Sequence, residues 1–207
     1  MQLCRPSLAM ILSVIISLAC PGAAQAEGLR AEIHGGYDRL SNQSFFSPSD
    51  STFRPVEGGV YGFGIGYDQP VGKQVFVGLE ANADFSTGSR CQVNPLVAFV
   101  APGIFESCLR TGRDLSANAR LGVNLGTGRT RLYALAGYSN VRLTSSFQMN
   151  RGPRTGLNSQ NRDGIRAGVG LEHGFDERFY AKIEYRYSDY GNRINRNQAL
   201  AGVGIRF

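Results

Sequence analysis

Residues Gly164–Tyr190 alternate apolar and polar side chains too regularly to be anything but paired strands. In the first run Ile165, Ala167, Val169 and Leu171 alternate with Arg166, Gly168, Gly170 and Glu172. In the second, Ala181, Ile183, Tyr185 and Tyr187 alternate with Lys182, Glu184, Arg186 and Ser188. A period of two gives each strand one apolar and one polar face. The polar break His173–Arg178 is short enough for a tight turn, so the two runs read as a hairpin. In a soluble sandwich the apolar face would be the core. Here the polar face carries charge after charge with glycines between, which suits a narrow barrel interior whose apolar side is outside.

The same pattern recurs along the chain. A first strand over Leu29–Leu40 sets Leu29, Ala31, Ile33 and Tyr37 against Arg30, Glu32, His34 and Asp38. In Gly59–Tyr67 the residues Tyr61, Phe63, Ile65 and Tyr67 share a face, and Gly62, Gly64 and Gly66 share the other. Tyr61 and Tyr67 stand roughly 20 Å apart at strand rise, which puts their rings near opposite interfaces of a bilayer. The glycines leave room for long side chains from neighbouring strands. Further strands are expected over Gln74–Ser86, Asp114–Leu125, Arg131–Leu143 and Gln198–Phe207. In Arg131–Leu143 the facing is open, because Tyr133, Leu135, Val141 and Leu143 compete with Leu132, Ala134, Ala136 and Tyr138. With the hairpin the count is eight. The connections alternate long and short, the long ones being 41–57, 87–113, 145–161 and 189–197.

The amino terminus has Arg5, the apolar run Leu8–Ala19 and small residues ending Ala24-Gln25-Ala26. This is the layout of a secretory signal peptide over residues 1–26, cleaved after Ala26. The apolar run is shorter than the ~20 residues of a spanning helix. Cys20 offers lipidation as the alternative, but Ser17 and Leu18 stand in the wrong order for the usual acylation box. The remainder, residues 27–207, suits one domain. Arginine supplies nearly all of the positive charge behind the net +6. Without a basic cluster in an exported chain we expect no nucleic-acid partner, and arginines fit the phosphates of an anionic leaflet. Cys91 and Cys108 remain after the leader, and in an oxidising compartment an even pair within one loop predicts a disulfide.

At this point the chain resembles the small eight-stranded outer-membrane β-barrel proteins, the OmpA-type membrane domain and the porin-family surface antigens of Gram-negative bacteria. The resemblance covers Glu27–Phe207. It rests on Leu132-Tyr133-Ala134-Leu135-Ala136-Gly137-Tyr138, on Gly168-Val169-Gly170-Leu171-Glu172, on Lys182-Ile183-Glu184-Tyr185-Arg186-Tyr187 and on the terminal run Gly202–Phe207. That last run, with Gly202, Ile205 and Phe207, is similar to the signal read by barrel-assembly machinery, although Leu200 stands where a polar residue is common. The resemblance implies an all-β, antiparallel transmembrane barrel in a bacterial outer membrane, with short periplasmic turns and four long extracellular loops. It also implies a structural, adhesive or antigen-like role, with lipid, including lipopolysaccharide, around the wall.

The inward set predicts ion pairs among Glu80, Arg120, Arg166, Glu172, Lys182, Glu184 and Arg186, with Glu32, Asp84 and Arg206 nearby. Unpaired charges there would cost several kcal/mol each. Such a lumen is either a salt-bridged plug or an ion path, and eight strands enclose only enough space for side chains to fill. Catalysis fares worse. His34 and Asp38 share a face but lie about 13 Å apart at strand rise, beyond hydrogen-bond reach. The late-chain His-x-Ser-Asn of barrel deacylases is replaced here by Tyr185-Arg186-Tyr187-Ser188-Asp189. No cofactor or metal motif occurs, and the chain is expected not to be an enzyme. A narrow diffusion channel and a lipid-modifying enzyme are the alternatives. The segment between the cysteines is apolar for a surface loop, so Phe99, Ile104 and Phe105 are candidate contacts for a surface partner.

Overall fold

The computed structural model describes residues 28–42, 55–93, 105–126, 129–149 and 155–207. The leader reading therefore lies outside the described residues. Nine strands run in chain order: β1 (Leu29–Asn42), β2 (Val56–Val71), β3 (Val75–Ser86), β4 (Ser89–Val93), β5 (Phe105–Leu125), β6 (Thr130–Met149), β7 (Thr155–Gly174), β8 (Phe179–Asp189) and β9 (Ile194–Arg206). All pairings are antiparallel. The order β3-β2-β1-β9-β8-β7-β6-β5 closes on itself through β3–β5, which makes an eight-stranded barrel. The short β4 is not a ninth stave. It pairs with β5 from Ser89↔Arg110 onward, just beyond the last β3 pair Phe85↔Arg113, so it prolongs β3 after a break at Thr87–Gly88.

The apolar face points outward. Tyr61, Phe63, Ile65 and Tyr67 are 59, 55, 60 and 46% exposed, whereas Glu172 is 0% and Glu184 4%. In a water-soluble sheet these numbers would be reversed. On β3 the outward run from Val75 to Phe85, at strand rise and a tilt of about 40°, stands roughly 25 Å tall, the height of a membrane barrel's apolar band. Tyr61 stacks on Phe85 at its upper edge, ring centroids 5.8 Å apart. No helix among the described residues is long and apolar enough to cross a membrane. The crossing is made by strands.

Several boundaries differ from the sequence expectation. Residues 105–113, 145–149, 155–161 and 194–197, expected as loop, are strand, and residues 41–42, 56–57, 68–71 and 89–93 are strand as well. The β8–β9 connection is only the four residues 190–193, not a long loop. The physical reason is the same in each case above the membrane. Alternation is a strong signal only where one face meets hydrocarbon and the other a closed lumen. Above the membrane both faces of β5, β6 and β7 meet water or each other, so the strands continue in polar sequence that reads as loop. The 190–193 turn is tight, with Gly191, Asn192 and Arg193 at φ 68°, 50° and 59°. Asp189 Oδ1 accepts the Gly191 N–H at 2.8 Å and holds it.

The facing of β6 is settled as well. Tyr133, Leu135, Val141 and Leu143 point inward, and Leu132 and Tyr138 are exposed. Inward aromatics fit because the adjoining strands offer glycine. A Cβ at Gly170 would collide with the Tyr133 ring, one at Gly204 with Tyr180, and one at Gly122 with Phe76. Likewise a Cβ at Gly66 would lie 2.7 Å from the Arg30 guanidinium.

Candidate functional site

The interior begins, at the short-turn end, with Arg206 and ends under the long connections with Asp38. Between them cations and anions alternate without a break. Arg206 reaches Glu172 at 2.7 Å, Glu172 pairs with Arg120, and Arg120 lies 3.6 Å from Glu80. Arg30 joins Glu80 to Glu32, both at 2.7 Å. Lys182 Nζ donates to Glu32 at 2.5 Å and sits 3.3 Å from Glu184, which pairs in turn with Arg186. Arg186 is 3.0 Å from Asp84, and Asp84 is 3.8 Å from Arg166. Arg166 pairs with Asp114, Asp114 with Arg196 at 2.5 Å, and Arg196 with Asp38 at 2.6 Å. Seven cations and seven anions thus form one ladder, nearly all of it fully buried.

Several of these charges also find neutral partners, although Arg30 Nε, Arg120 Nε, Arg166 Nη1 and Arg186 Nη2 make no hydrogen bond among the described residues. Tyr180 donates to Glu32 at 2.9 Å, Tyr133 donates to Glu184, and Ser86 donates to Asp38 at 2.5 Å. The Arg120 guanidinium lies 3.8 Å over the Tyr133 ring, and Arg206 lies 4.3 Å over Tyr180. A buried ion pair stabilises only when its remaining donors and acceptors are met this way.

All seven expected interior residues, Glu80, Arg120, Arg166, Glu172, Lys182, Glu184 and Arg186, lie in this ladder. The sequence reading left Arg30, Asp38, Asp114 and Arg196 out of the pairing, and Asp68 too, which lies 3.4 Å from Arg30 and from Arg120. Parity could have found Asp68, which continues the face of Gly62, Gly64 and Gly66. Arg196 carried the same signal relative to Gln198, but it lay in an expected loop.

Above the ladder the lumen turns apolar. Leu40, Val56, Leu109, Val141, Leu143, Tyr190 and Ile194 form one buried cluster under the long connections. Tyr190 ties it to the ladder, its hydroxyl 2.8 Å from Ser139, which donates to Asp114 at 2.7 Å. No sequence signal named this seal, because its members come from five strands and a turn.

His34 has a partner that its own strand could not supply. Its Nε2 lies 2.6 Å from Asp84 Oδ1 on β3. The reading that Asp38 is out of reach stands, since Asp38 binds Arg196 instead. The other ring nitrogen, Nδ1, faces Glu32 at 3.7 Å and makes no hydrogen bond among the described residues. A nucleophile-activating unit would need a hydroxyl or thiol there and a path for substrate. His173, expected in the turn, lies at the end of β7 with Nδ1 3.0 Å from Thr130 Oγ1. The turn itself is 175–178, where the Asp176 carboxylate accepts the N–H groups of Phe179 and Arg178 at 2.6 and 2.7 Å. These two bonds hold Asp176 below the usual carboxylate range.

At the opposite end, Cys91 on β4 and Cys108 on β5 are directly opposed and disulfide-bonded, with Cα atoms 4.0 Å apart. The bond pins β4 to the raised part of the β5–β6–β7 sheet. Glu106 approaches both sulfurs, but a disulfide offers no thiolate to a metal. Of the expected contact residues, Phe99 and Ile104 lie outside the described residues, and of Phe105 only the backbone is described, at the start of β5. In the terminal run, Gly202 packs against β1, where a Cβ would meet Ile33 O at 2.7 Å. Ile205 pairs with Ala31 and Phe179, and the Phe207 N–H donates to Leu29 O at 2.9 Å.

A family model described as outer membrane protein beta-barrel domain matches residues 10–207. The chain is 26% identical over 134 residues to the 25 kDa outer-membrane immunogenic protein of Brucella ovis; the match covers 65% of this chain and 57% of that relative's length. Among solved structures it is similar to Ail, the attachment invasion locus protein of Yersinia pestis, crystallised with the heparin analogue sucrose octasulfate. There the TM-score is 0.52 and the identity 16%, over 87% of this chain and 99% of the other. It is also similar to Neisserial surface protein A, at TM-score 0.54 and 13% identity over 89% of this chain and 100% of the other.

Proposed function

The chain belongs to the outer membrane protein beta-barrel domain family, and from that premise we propose that it is a non-catalytic surface-interaction protein whose working part is the raised sheet above the membrane. The observation that carries this reading is the filled lumen: an ion-pair ladder through its length and an apolar seal at its outer end leave the interior a structural role. What remains for contact with other molecules is the upper part of β5, β6 and β7 with β4 clamped to it. The immunogenic relative, described as an outer-membrane protein, suits a chain that offers such a surface.

On this reading the partners are the surrounding lipid, barrel-assembly machinery during biogenesis through Gly202, Ile205 and Phe207, and a surface partner met by the connection carrying Phe99, Ile104 and Phe105. Residues 1–26 act as the export signal. The test is retention on host-cell layers by an otherwise non-adherent bacterium producing the chain. Alanine at Phe99, Ile104 and Phe105 should lower retention while the unheated protein keeps its shifted gel mobility. Unchanged retention with an intact barrel would sink the contact surface. A mass change in lipid A that appears only when the protein is present would favour the enzyme alternative.

A further inference from the structure

The barrel wall carries an arginine cluster that the lumen does not use. Between Thr111↔Leu143 and Asp114↔Val141 the β5–β6 register shifts, so that Gly112 and Arg113 together stand opposite Arg142. Thr111 and Asp114 are fully buried, so the bulge turns both intervening residues outward. Gly112 supports this facing, because a Cβ there would lie 3.8 Å from the Arg142 Cβ. Arg110, opposite Thr144, is the next outward residue of β5. The bulge thereby brings Arg110, Arg113 and Arg142 onto one patch of the outer wall.

Their height is fixed by register. Arg113 pairs with Phe85, the residue that stacks on Tyr61 at the upper edge of the apolar band. It lies two residues, about 7 Å along the strand, beyond the outward Leu115. That is the depth of lipid headgroups, and the patch faces sideways into the leaflet.

The described neighbours leave the cations unmatched. Toward β4 the outward residues are Thr87 and Ser89, and toward β7 they are Ser159 and Asn161. Asp163, two residues along β7 from Asn161, accepts hydrogen bonds from Tyr138 and Asn140, both at 2.5 Å. On β1, by contrast, the exposed Arg39 is met by Glu57 at 3.6 Å. Among the described residues no carboxylate comes within ion-pair distance of Arg110, Arg113 or Arg142.

We propose that Arg110, Arg113 and Arg142 form a binding site for the phosphate groups of an outer-leaflet glycolipid. Guanidinium forks match phosphate oxygens, and a phosphorylated lipid in that leaflet brings them to this height without leaving the membrane. The site requires only that the barrel stands in the outer membrane, and it holds whether or not the loop tips bind a surface partner.

The test uses the full-length chain folded in detergent, with binding measured to bisphosphorylated lipid A, dephosphorylated lipid A, phosphatidylglycerol and a sulfated polysaccharide. Bisphosphorylated lipid A should bind, and R110Q/R113Q/R142Q should weaken it by about tenfold or more as charge-assisted contacts are lost. Arg178→Gln, on the opposite turn, should not. Each variant is first checked for heat-shifted gel mobility, and single substitutions replace the triple variant if that fails to fold. The proposal is overturned by equal affinity for dephosphorylated lipid A or by undiminished binding in the variants. It is equally overturned by equal weakening in Arg178→Gln, or by tight binding of the polysaccharide with no preference for lipid A.

Discussion

Arg186 illustrates what a buried charge does in this molecule. Its guanidinium is fully enclosed and stands between Glu184 and Asp84, themselves buried and tied to Lys182 and His34. Replacing it with alanine leaves two carboxylates facing a cavity with one cation fewer. The expected loss is about 3–5 kcal/mol, the usual cost of orphaning a buried partner. The exposed pair Arg39–Glu57, whose side chains are 52 and 45% accessible, has the same chemistry in water. Arg39→Ala is therefore expected to change stability by less than about 1 kcal/mol. Because the chain has no tryptophan, the urea midpoint is best followed by gel mobility of the unheated protein. Equal shifts for the two variants would mean that the ladder contributes no more than a surface pair.

At the scale of elements, two devices hold the ends of strands. The 175–178 turn is closed by Asp176, whose carboxylate accepts two backbone N–H groups and whose pKa lies below its unfolded value as a result. A depressed folded pKa contributes stability that is present above the unfolded pKa, about 3.9, and is lost as pH falls through the folded one. The β7–β8 hairpin is thus expected to loosen only below about pH 4, and Asp176→Asn should remove that acid dependence. Carboxyl chemical shifts through the titration report it directly. At the other end, the disulfide spans a separation of 17 residues. Closing a loop of this size restricts the unlinked segment by about 3 kcal/mol. Reduction, or Cys91→Ser with Cys108→Ser, should expose the β4 region to limited proteolysis while the barrel keeps its gel shift. A barrel that unfolds with the bond would place β4 in the core of the fold instead.

These elements also explain what could be read from the chain and what could not. Ile165–Leu171 and Tyr61–Tyr67 were legible because hydrocarbon on one side and a closed lumen on the other force strict alternation. The same residues continue into β7 up to Thr155 and into β2 down to Val56, where water replaces hydrocarbon and the forcing disappears. Arg196 was lost for that reason, and with it the pair that anchors Asp38. The His34–Asp84 contact was lost for another: it joins strands 50 residues apart, and only the register of β1 on β2 and β2 on β3 brings them together. Facing can be read within one strand, but partnership depends on stagger.

For the molecule as a whole, the question is whether anything passes through. A conducting path needs a continuous polar void. In this barrel every level of the lumen is occupied, by Phe76, Tyr133 and Leu135 around Arg120 near the short turns, by the ladder in the middle and by the apolar cluster at the outer end. The two obstructions differ in kind. An ion would have to displace paired charges from the ladder, and it would have to shed its water to cross the seal. Truncating the seal alone, with Leu143→Ala and Ile194→Ala, should cost about 2–5 kcal/mol per site. It should still open no path, because the ladder beneath it stays filled. Both the native chain and this variant are therefore expected to give no single-channel steps in planar bilayers. Steps from the native chain would overturn the closed lumen and favour a narrow diffusion channel, whereas steps from the variant alone would mean that the apolar seal is the barrier and the ladder is permeable.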